Sequence, residues 1–469
     1  MAKHKTDYVR YHIHTETANE IKRWPTRFRV KVKKAGLAKW LLKEVLEHGL
    51  GNRREVVLSR PCLYGVFSGP VGGFAPRPQH CVGCLRCTTE YPEMVSVTHN
   101  PERKKLGDSF FASSFIDALS YESLEGVIPV KGAGYRGKFG GEGWEGMWTD
   151  MSEIVRPTRD GIHGREFIST VVDIGYRPNY LQFDEEGHLV GAEPKLISIP
   201  LPVLFDVPPK NDQSEKAARI IAKAAAELET LAVLPITMIC RIGLVGKHIV
   251  PLVKAGEEEL LSNLGYIPDL VEMESWDAHL AESILRWYPE SILSLRLTFP
   301  VREEILDYVQ KGISTFHLLA DYHGQDVEGN FVLDLIRETH KTLVEAGIRQ
   351  EVTLVGSGGI ITAEHIPKAI LCGLDAAAVD TPVMAALQAD FIGECKQREF
   401  SQFSLPAKLT IEWGVQRLMN LAAAWRDQLL EISGAMGLRE IRRMRGEMGR
   451  AMFMKELEAD AFAGVAGYE

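Results

Sequence analysis

From about residue 196 onward, short apolar runs alternate with stretches whose apolar residues recur every three or four positions. LISIPLPVLFDV, LAVLPITMI, HIVPLV, DLVEMES, SILSLRLTF, TFHLLAD, EVTLVGSGG and AAAVDTP read as strands. SEKAARIIAKAAAELE, REEILDYVQKG and DLIRETHKTLVEAG lie between them and read as amphipathic helices. Roughly eight strands alternating with helices over roughly 190 residues are the signature of βα units around a parallel sheet. Eight such units fit a closed (β/α)8 TIM-type barrel, although pattern alone also admits a doubly wound sheet. The expected α/β barrel spans 196–395, and a helical C-terminal extension, 396–469, follows it.

Upstream the texture is different. Residues 1–60 form a basic segment in which AGLAKWLLKEVLEH, 35–48, has the spacing of a helix closed by Gly49. Its packing partner is its own protein, a membrane surface or an acidic redox protein, in that order of preference. Residues 61–195 are rich in glycine, proline and aromatics and poor in periodicity. KGAGYRGKFGGEGWEGMW, 131–148, is the extreme case, carrying Tyr135, Phe139, Trp144 and Trp148. Such a loop either covers a planar ligand or buries its own aromatics as a surface loop. TDMSEIVRPTRDGIHGRE follows, dense in charge.

Within this irregular stretch Cys81, Cys84 and Cys87 are spaced two residues apart and followed by Tyr91 and Pro92. The pattern resembles one half of a bacterial-ferredoxin motif, C-x-x-C-x-x-C-x-x-x-C-P, with tyrosine in place of the last cysteine. In two-cluster ferredoxins that cysteine serves the other cluster, so its loss points to a single [4Fe-4S] cluster. Cys62 is the candidate fourth ligand; without it the centre is [3Fe-4S]. Zinc is the competing reading, but it usually takes two separated cysteine pairs rather than a tight triplet.

Composition narrows the setting. The chain has 469 residues, 45% hydrophobic and 25% charged, with net charge -9, which suits two or three domains with a substantial core. No apolar run is long enough to span a membrane and no signal core opens the chain, so a cytoplasmic protein is expected. Seven cysteines in that compartment favour metal ligation or burial over disulfides. Cys240, Cys372 and Cys395 sit in apolar surroundings and read as small hydrophobes. The basic segment is not accompanied by a recognised nucleic-acid motif, so no nucleic-acid partner is expected.

The clearest ligand chemistry of the C-terminal half lies in EVTLVGSGGIITAEHIPKAI. A strand ends in Gly356-Ser357-Gly358-Gly359 and a helix starts near Thr362, a geometry in which backbone N–H groups and a helix dipole can face an anion. About twenty residues on, another strand ends at Asp380-Thr381. In (β/α)8 enzymes the loops after strands seven and eight commonly form a phosphate site, whereas isolated glycines simply turn the chain.

From about 196 to 455 the chain resembles the FMN-binding barrel of glutamate synthases and shorter glutamate synthase-like proteins. VGSGGIITAEHIPKAILCGLDAAAVDTPVMAAL and GVQRLMNLAAAWRDQLLEISGAMGLREIRRMRGE carry the likeness. It implies that Ser357, Gly358, Gly359, Asp380 and Thr381 hold the FMN phosphate, and that Phe205 and Asp206 meet the flavin ring. Arg296, at a position where many relatives carry lysine, is implied to stabilise the negative charge of reduced flavin; otherwise it pairs with a neighbouring carboxylate. Three departures stand out. No glutaminase domain or early catalytic cysteine is present, the cluster cysteines lie before the barrel rather than after it, and ADYHGQD, 320–326, replaces the glycine-rich loop after strand six.

His317, Asp321 and His323 fall on or just after strand six, where a group able to move protons is useful. Glu272 and Glu274 alternate with apolar residues and are expected to point together into the barrel mouth, suiting an amine or pairing with Arg296. The combined expectation is an FMN- and iron–sulfur-dependent oxidoreductase acting on an imino or amino acid or a related amine. A ferredoxin or flavoprotein would donate electrons, and further subunits or self-assembly into an oligomer are expected. The alternatives are an electron-transfer or scaffolding subunit, or a reduced-FMN-dependent isomerase.

Overall fold

A computed structural model describes residues 11–48, 62–128, 141–149, 168–191, 193–301, 303–466. TDMSEIVRPTRDGIHGRE, apart from its first residue, lies outside them, as do Tyr135 and Phe139. The described residues form two compact units, one within 22–107, the other made of residues 11–21, 108–128 and those from 141 onward.

In the smaller unit, strand Phe28–Val32 pairs antiparallel with Val95–His99, Phe28 opposite His99. The helix expected at 35–48 is present as Lys34–His48. Cys62, Val66, Phe67, Cys87 and Val95 form the core, with Val30, Val32, Cys81, Met94 and Val97 packed against it. Trp40 of the helix meets Tyr91 edge-on at 5.5 Å.

The larger unit is a closed eight-stranded barrel. Its strands, numbered one to eight here, are Val203–Phe205, Ala232–Pro235, Ile249–Val253, Leu270–Met273, Ile292–Thr298, Thr315–Leu319, Thr353–Ser357 and Ala376–Val379. Each pairs in parallel with its neighbour, and strand eight closes on strand one through Val379 opposite Phe205. The doubly wound alternative is thereby set aside. The strands are apolar on both faces because side chains fill the inside and helices cover the outside. Helix Ser214–Glu227 shows the rule: Ala217, Ala218, Ile220, Ile221, Ala224 and Ala225 are buried at helical spacing. Helix Ala278–Trp287 starts where Asp277 accepts a hydrogen bond from Leu280 N at 2.8 Å.

Two runs read as single strands divide. LAVLPITMI becomes strand two and then helix Ile236–Ile242, because the chain turns at Pro235 and its apolar residues then face the sheet. LISIPLPVLFDV breaks at Pro200 and Pro202. Only Val203–Phe205 enters the barrel, while Lys195–Ile199 pairs antiparallel with Val172–Tyr176. That ladder packs at the N-terminal end of the barrel, where Gly175 N donates to Thr353 Oγ1 at 3.1 Å and Thr353 Oγ1 donates to Gly175 O at 2.8 Å. Gly175 sits at φ +131°, and a Cβ there would lie 2.1 Å from Lys195 O.

After the barrel, helix Ile411–Ala435 packs along Ser214–Glu227 and Ser113–Glu125. Its Arg417 is fully buried and donates to Ala386 O and Ser120 O. The segment after it is less helical than its sequence suggests. Short 3-10 turns lead to strand Ala451–Phe453, which pairs with Met147–Thr149, and then to helix Met454–Ala461. Among the described residues no helix is long and apolar enough to cross a membrane.

Candidate functional site

Two separate clusters of chemistry-bearing side chains stand out, one in each unit. In the smaller unit the chain reverses sharply through Gly83 (φ +68°) and Leu85 (φ +61°) and then enters the short helix Arg86–Glu90. These left-handed residues turn the loop, and Cys81 and Cys84 lie near enough to Cys87 to act on its thiol. Gly83 has a further constraint, since a Cβ there would lie 2.2 Å from Cζ of Phe28. Cys62 arrives from earlier in the chain. Burial and the neighbouring Cys81, Cys62 and Cys84 thiols push the Cys87 thiol up to about 11. A thiol buried beside three others belongs to a set that a cation would relieve.

The larger unit gathers its charges at the C-terminal ends of the barrel strands, the face on which such folds carry ligands. Arg296 of strand five donates through Nε to Glu272 and through Nη2 to Asp206. His317 lies opposite Arg296 across strands five and six. Its Nδ1 is 3.1 Å from both oxygens of Glu272, so that nitrogen carries the proton, a carboxylate being able only to accept. The opposite nitrogen, Nε2, is buried with no hydrogen-bond partner among the described residues.

Burial alone would push the carboxyls of Asp206 and Glu272 up. For Asp206, Arg296, His317 and Arg398 together outweigh it, and for Glu272, Arg296 and His317 do, so both are held below the usual carboxylate range. At Asp380 burial wins, aided by the charge of Asp206 and opposed by Arg398, and its carboxyl is raised.

Arg398, in the segment after the last barrel helix, joins the cluster without any motif to mark it. Its Nε donates to Ala320 O at 2.7 Å and its Nη2 to Ser357 Oγ and Asp380 Oδ2, both at 2.9 Å. Its Nη1 lies 3.3 Å from Asp206 Oδ2, and the guanidinium rests over the Tyr322 ring at 4.7 Å. The signal available in the sequence is arithmetic: Asp206, Glu272 and Asp380 at the strand ends need more than one buried cation.

Phe205 is buried at the end of strand one. Glu272 points inward, but strand four ends at Met273, and Glu274 is half-exposed and pairs with Lys254 at 3.0 Å. The two glutamates therefore do not act together, because the alternation stops where the strand stops. Asp321 and His323 stand apart from the Arg296 cluster. Asp321 Oδ1 accepts from Gln325 N at 2.8 Å, and His323 stacks on Phe110 with Nε2 3.0 Å from Asp108 Oδ2. Both hold the loop after strand six in shape. Of the aromatic loop 131–148, Trp144 is buried; its Nε1 donates to Gly359 O at 2.9 Å and its ring lies against Phe331 and His365. The helix after the glycines begins at His365 rather than near Thr362, and Ile361 N donates to His365 Nδ1 at 3.1 Å.

Residues 320–439 match the conserved region of glutamate synthase. The archaeal-type glutamate synthase [NADPH] of Dehalococcoides mccartyi is 22% identical over 437 residues, covering 79% of this chain and 86% of that protein. The archaeal glutamate synthase [NADPH] of Methanocaldococcus jannaschii is 33% identical over 137 residues, 26% of each chain. Among solved structures, a mandelate oxidase variant with benzaldehyde superposes with TM-score 0.37 and 14% identity over 64% of this chain and 98% of that one. Residues 320–439 are thus similar to the conserved region of glutamate synthase, and they lie on and after a closed parallel (β/α)8 barrel.

Proposed function

We propose that the chain is an iron–sulfur-containing flavin oxidoreductase of the glutamate synthase-like type, acting on an imino or amino acid or a related amine. The approach of Cys62, Cys81 and Cys84 to Cys87, added to the spacing of the triplet, carries this reading. A one-electron centre needs a partner that collects electrons in pairs, and a flavin supplies that chemistry when bound. A ferredoxin or a flavoprotein would feed the cluster.

At the barrel mouth the residues fit the two ends of FMN unequally. The inner end offers the Arg296 guanidinium, although both Asp206 and Glu272 already neutralise it. His317, oriented by Glu272, presents Nε2 as the group that accepts or returns a proton at the substrate. Three carboxylates against two guanidinium groups favour a cationic ammonium or iminium over an anionic substrate. At the outer end the Asp380 carboxylate already accepts from Thr381 N, Thr381 Oγ1 and Arg398, which opposes a phosphate there.

The test is anaerobic purification followed by iron, sulfide and flavin analysis. A brown protein whose visible absorption bleaches with dithionite is expected. Stoichiometric zinc without acid-labile sulfide would defeat the proposal. Turnover of 2-oxo acid and ammonium with reduced ferredoxin, without an added subunit, separates an enzyme from an accessory electron-transfer subunit.

A further inference from the structure

We propose that Asp380 fills, from within the chain, the anion niche between barrel strands seven and eight, so that the mouth selects its ligand without gripping a terminal phosphate. The inference builds on the flavin reading only in its choice of flavin probes.

Several donors that a phosphate would use there already have a protein acceptor. The Asp380 carboxylate accepts from Thr381 N, from Thr381 Oγ1 at 3.0 Å and from Arg398 Nη2 at 2.9 Å. Gly359 N donates to Tyr322 O at 3.2 Å. Ser357 Oγ takes its hydrogen bond from Arg398. Asp380, Ser357 and Thr381 are each at most 2% exposed. A phosphate would bring a charge of roughly −2 beside a buried carboxylate, a like-charge contact that opposes binding.

The glycines have an internal explanation too. A Cβ on Gly358 would lie 2.3 Å from Asp321 O, and one on Gly359 would lie 2.6 Å from Gly324 Cα. Close approach of the 320–324 loop demands both glycines whether or not a ligand is present. The GSGG signature thus serves chain packing, and the aspartate supplies the anion that the remaining donors require.

Removing the carboxylate should expose an anion site made of Thr381 N, Thr381 Oγ1 and Arg398. Flavin fluorescence titration would compare FMN with riboflavin on the wild type and on Asp380→Gly. The wild type should bind the two within about threefold, and the variant should prefer FMN by about tenfold or more. A wild-type preference for FMN of about tenfold would overturn the proposal. In parallel, inorganic phosphate should raise the thermal midpoint of Asp380→Gly and leave that of the wild type unmoved. If neither flavin binds the wild type, the flavin reading fails while the phosphate arm still decides this inference. Should Asp380→Gly not fold, Asp380→Asn keeps the shape and cancels the charge. Indifference of the folded variant to phosphate, or equal stabilisation of the wild type, would refute the internal anion.

Discussion

Arg296→Gln isolates the central ion cluster. The substitution removes the guanidinium that pairs with Asp206 and Glu272, both buried. Breaking a buried pair from one side typically costs about 3–5 kcal/mol. Asp206 keeps Arg398 at 3.3 Å and Glu272 keeps His317 at 3.1 Å, so the loss should sit near the lower end. With about 2.1 cal/mol/K of unfolding entropy per residue over a barrel of about 200 residues, about 3 kcal/mol lowers the melting point by about 7 °C. The pH dependence gives a sharper check. With Arg296 present both carboxyls have depressed pKa values, so their stabilisation is present above about pH 4 and lost as pH falls through the lower folded values. Without it, burial raises them, and the variant suffers most at neutral pH and recovers as they protonate. Calorimetry or urea unfolding at about pH 7 and about pH 4 should therefore show a destabilisation that shrinks on acidification. A pH-independent difference, or one below about 1 kcal/mol at neutral pH, would refute the assignment. Arg296→Gln combined with Glu272→Gln should be less damaged than the sum of the single variants, by about 0.5–3 kcal/mol.

Cys62→Ser is expected to yield a three-iron centre, detected by electron paramagnetic resonance of the oxidised protein, whereas an unchanged four-iron spectrum would move the fourth ligand elsewhere. Gly175→Ala places a Cβ 2.1 Å from Lys195 O at φ +131° and should cost about 3 kcal/mol or prevent folding, read by urea unfolding. His340, lowered to about 4 by burial and by Arg349, whose Nε donates to its Nδ1, is neutral in the native state. Its folded value lies below the ordinary one, so stability is full above about pH 6.5 and declines toward pH 4 by at most about 3 kcal/mol, less after solvent screening. His340→Gln should flatten that decline; an unaltered slope would count against it.

The periodic pattern determined most of the barrel, because strands buried on both faces and helices with one apolar stripe leave local marks in the sequence. It also located the cysteines, whose spacing is a chemical constraint written within seven residues. Glu274 departs from its expected place because alternation does not announce where a strand stops, and ITMI because a short apolar run suits helix and strand equally. The antiparallel ladder at the N-terminal end of the barrel is hidden for a related reason. Its partners, 172–176 and 195–199, are joined across a turn-rich stretch, and residues 195–199 run on into strand one with no polar break between them.

What the sequence could not decide was which polar groups satisfy which. Arg398 reaches Asp206, Ser357 and Asp380 across 192, 41 and 18 residues, contacts that exist only once the barrel has closed. The same aspartate reads along the chain as part of a phosphate cradle, and in three dimensions its carboxylate accepts from Thr381 and Arg398. The difference is physical. Residue types set which hydrogen bonds and charges a chain can offer, but desolvation makes each buried group find its nearest partner, and only the tertiary fold says whether that partner is a ligand or the protein itself.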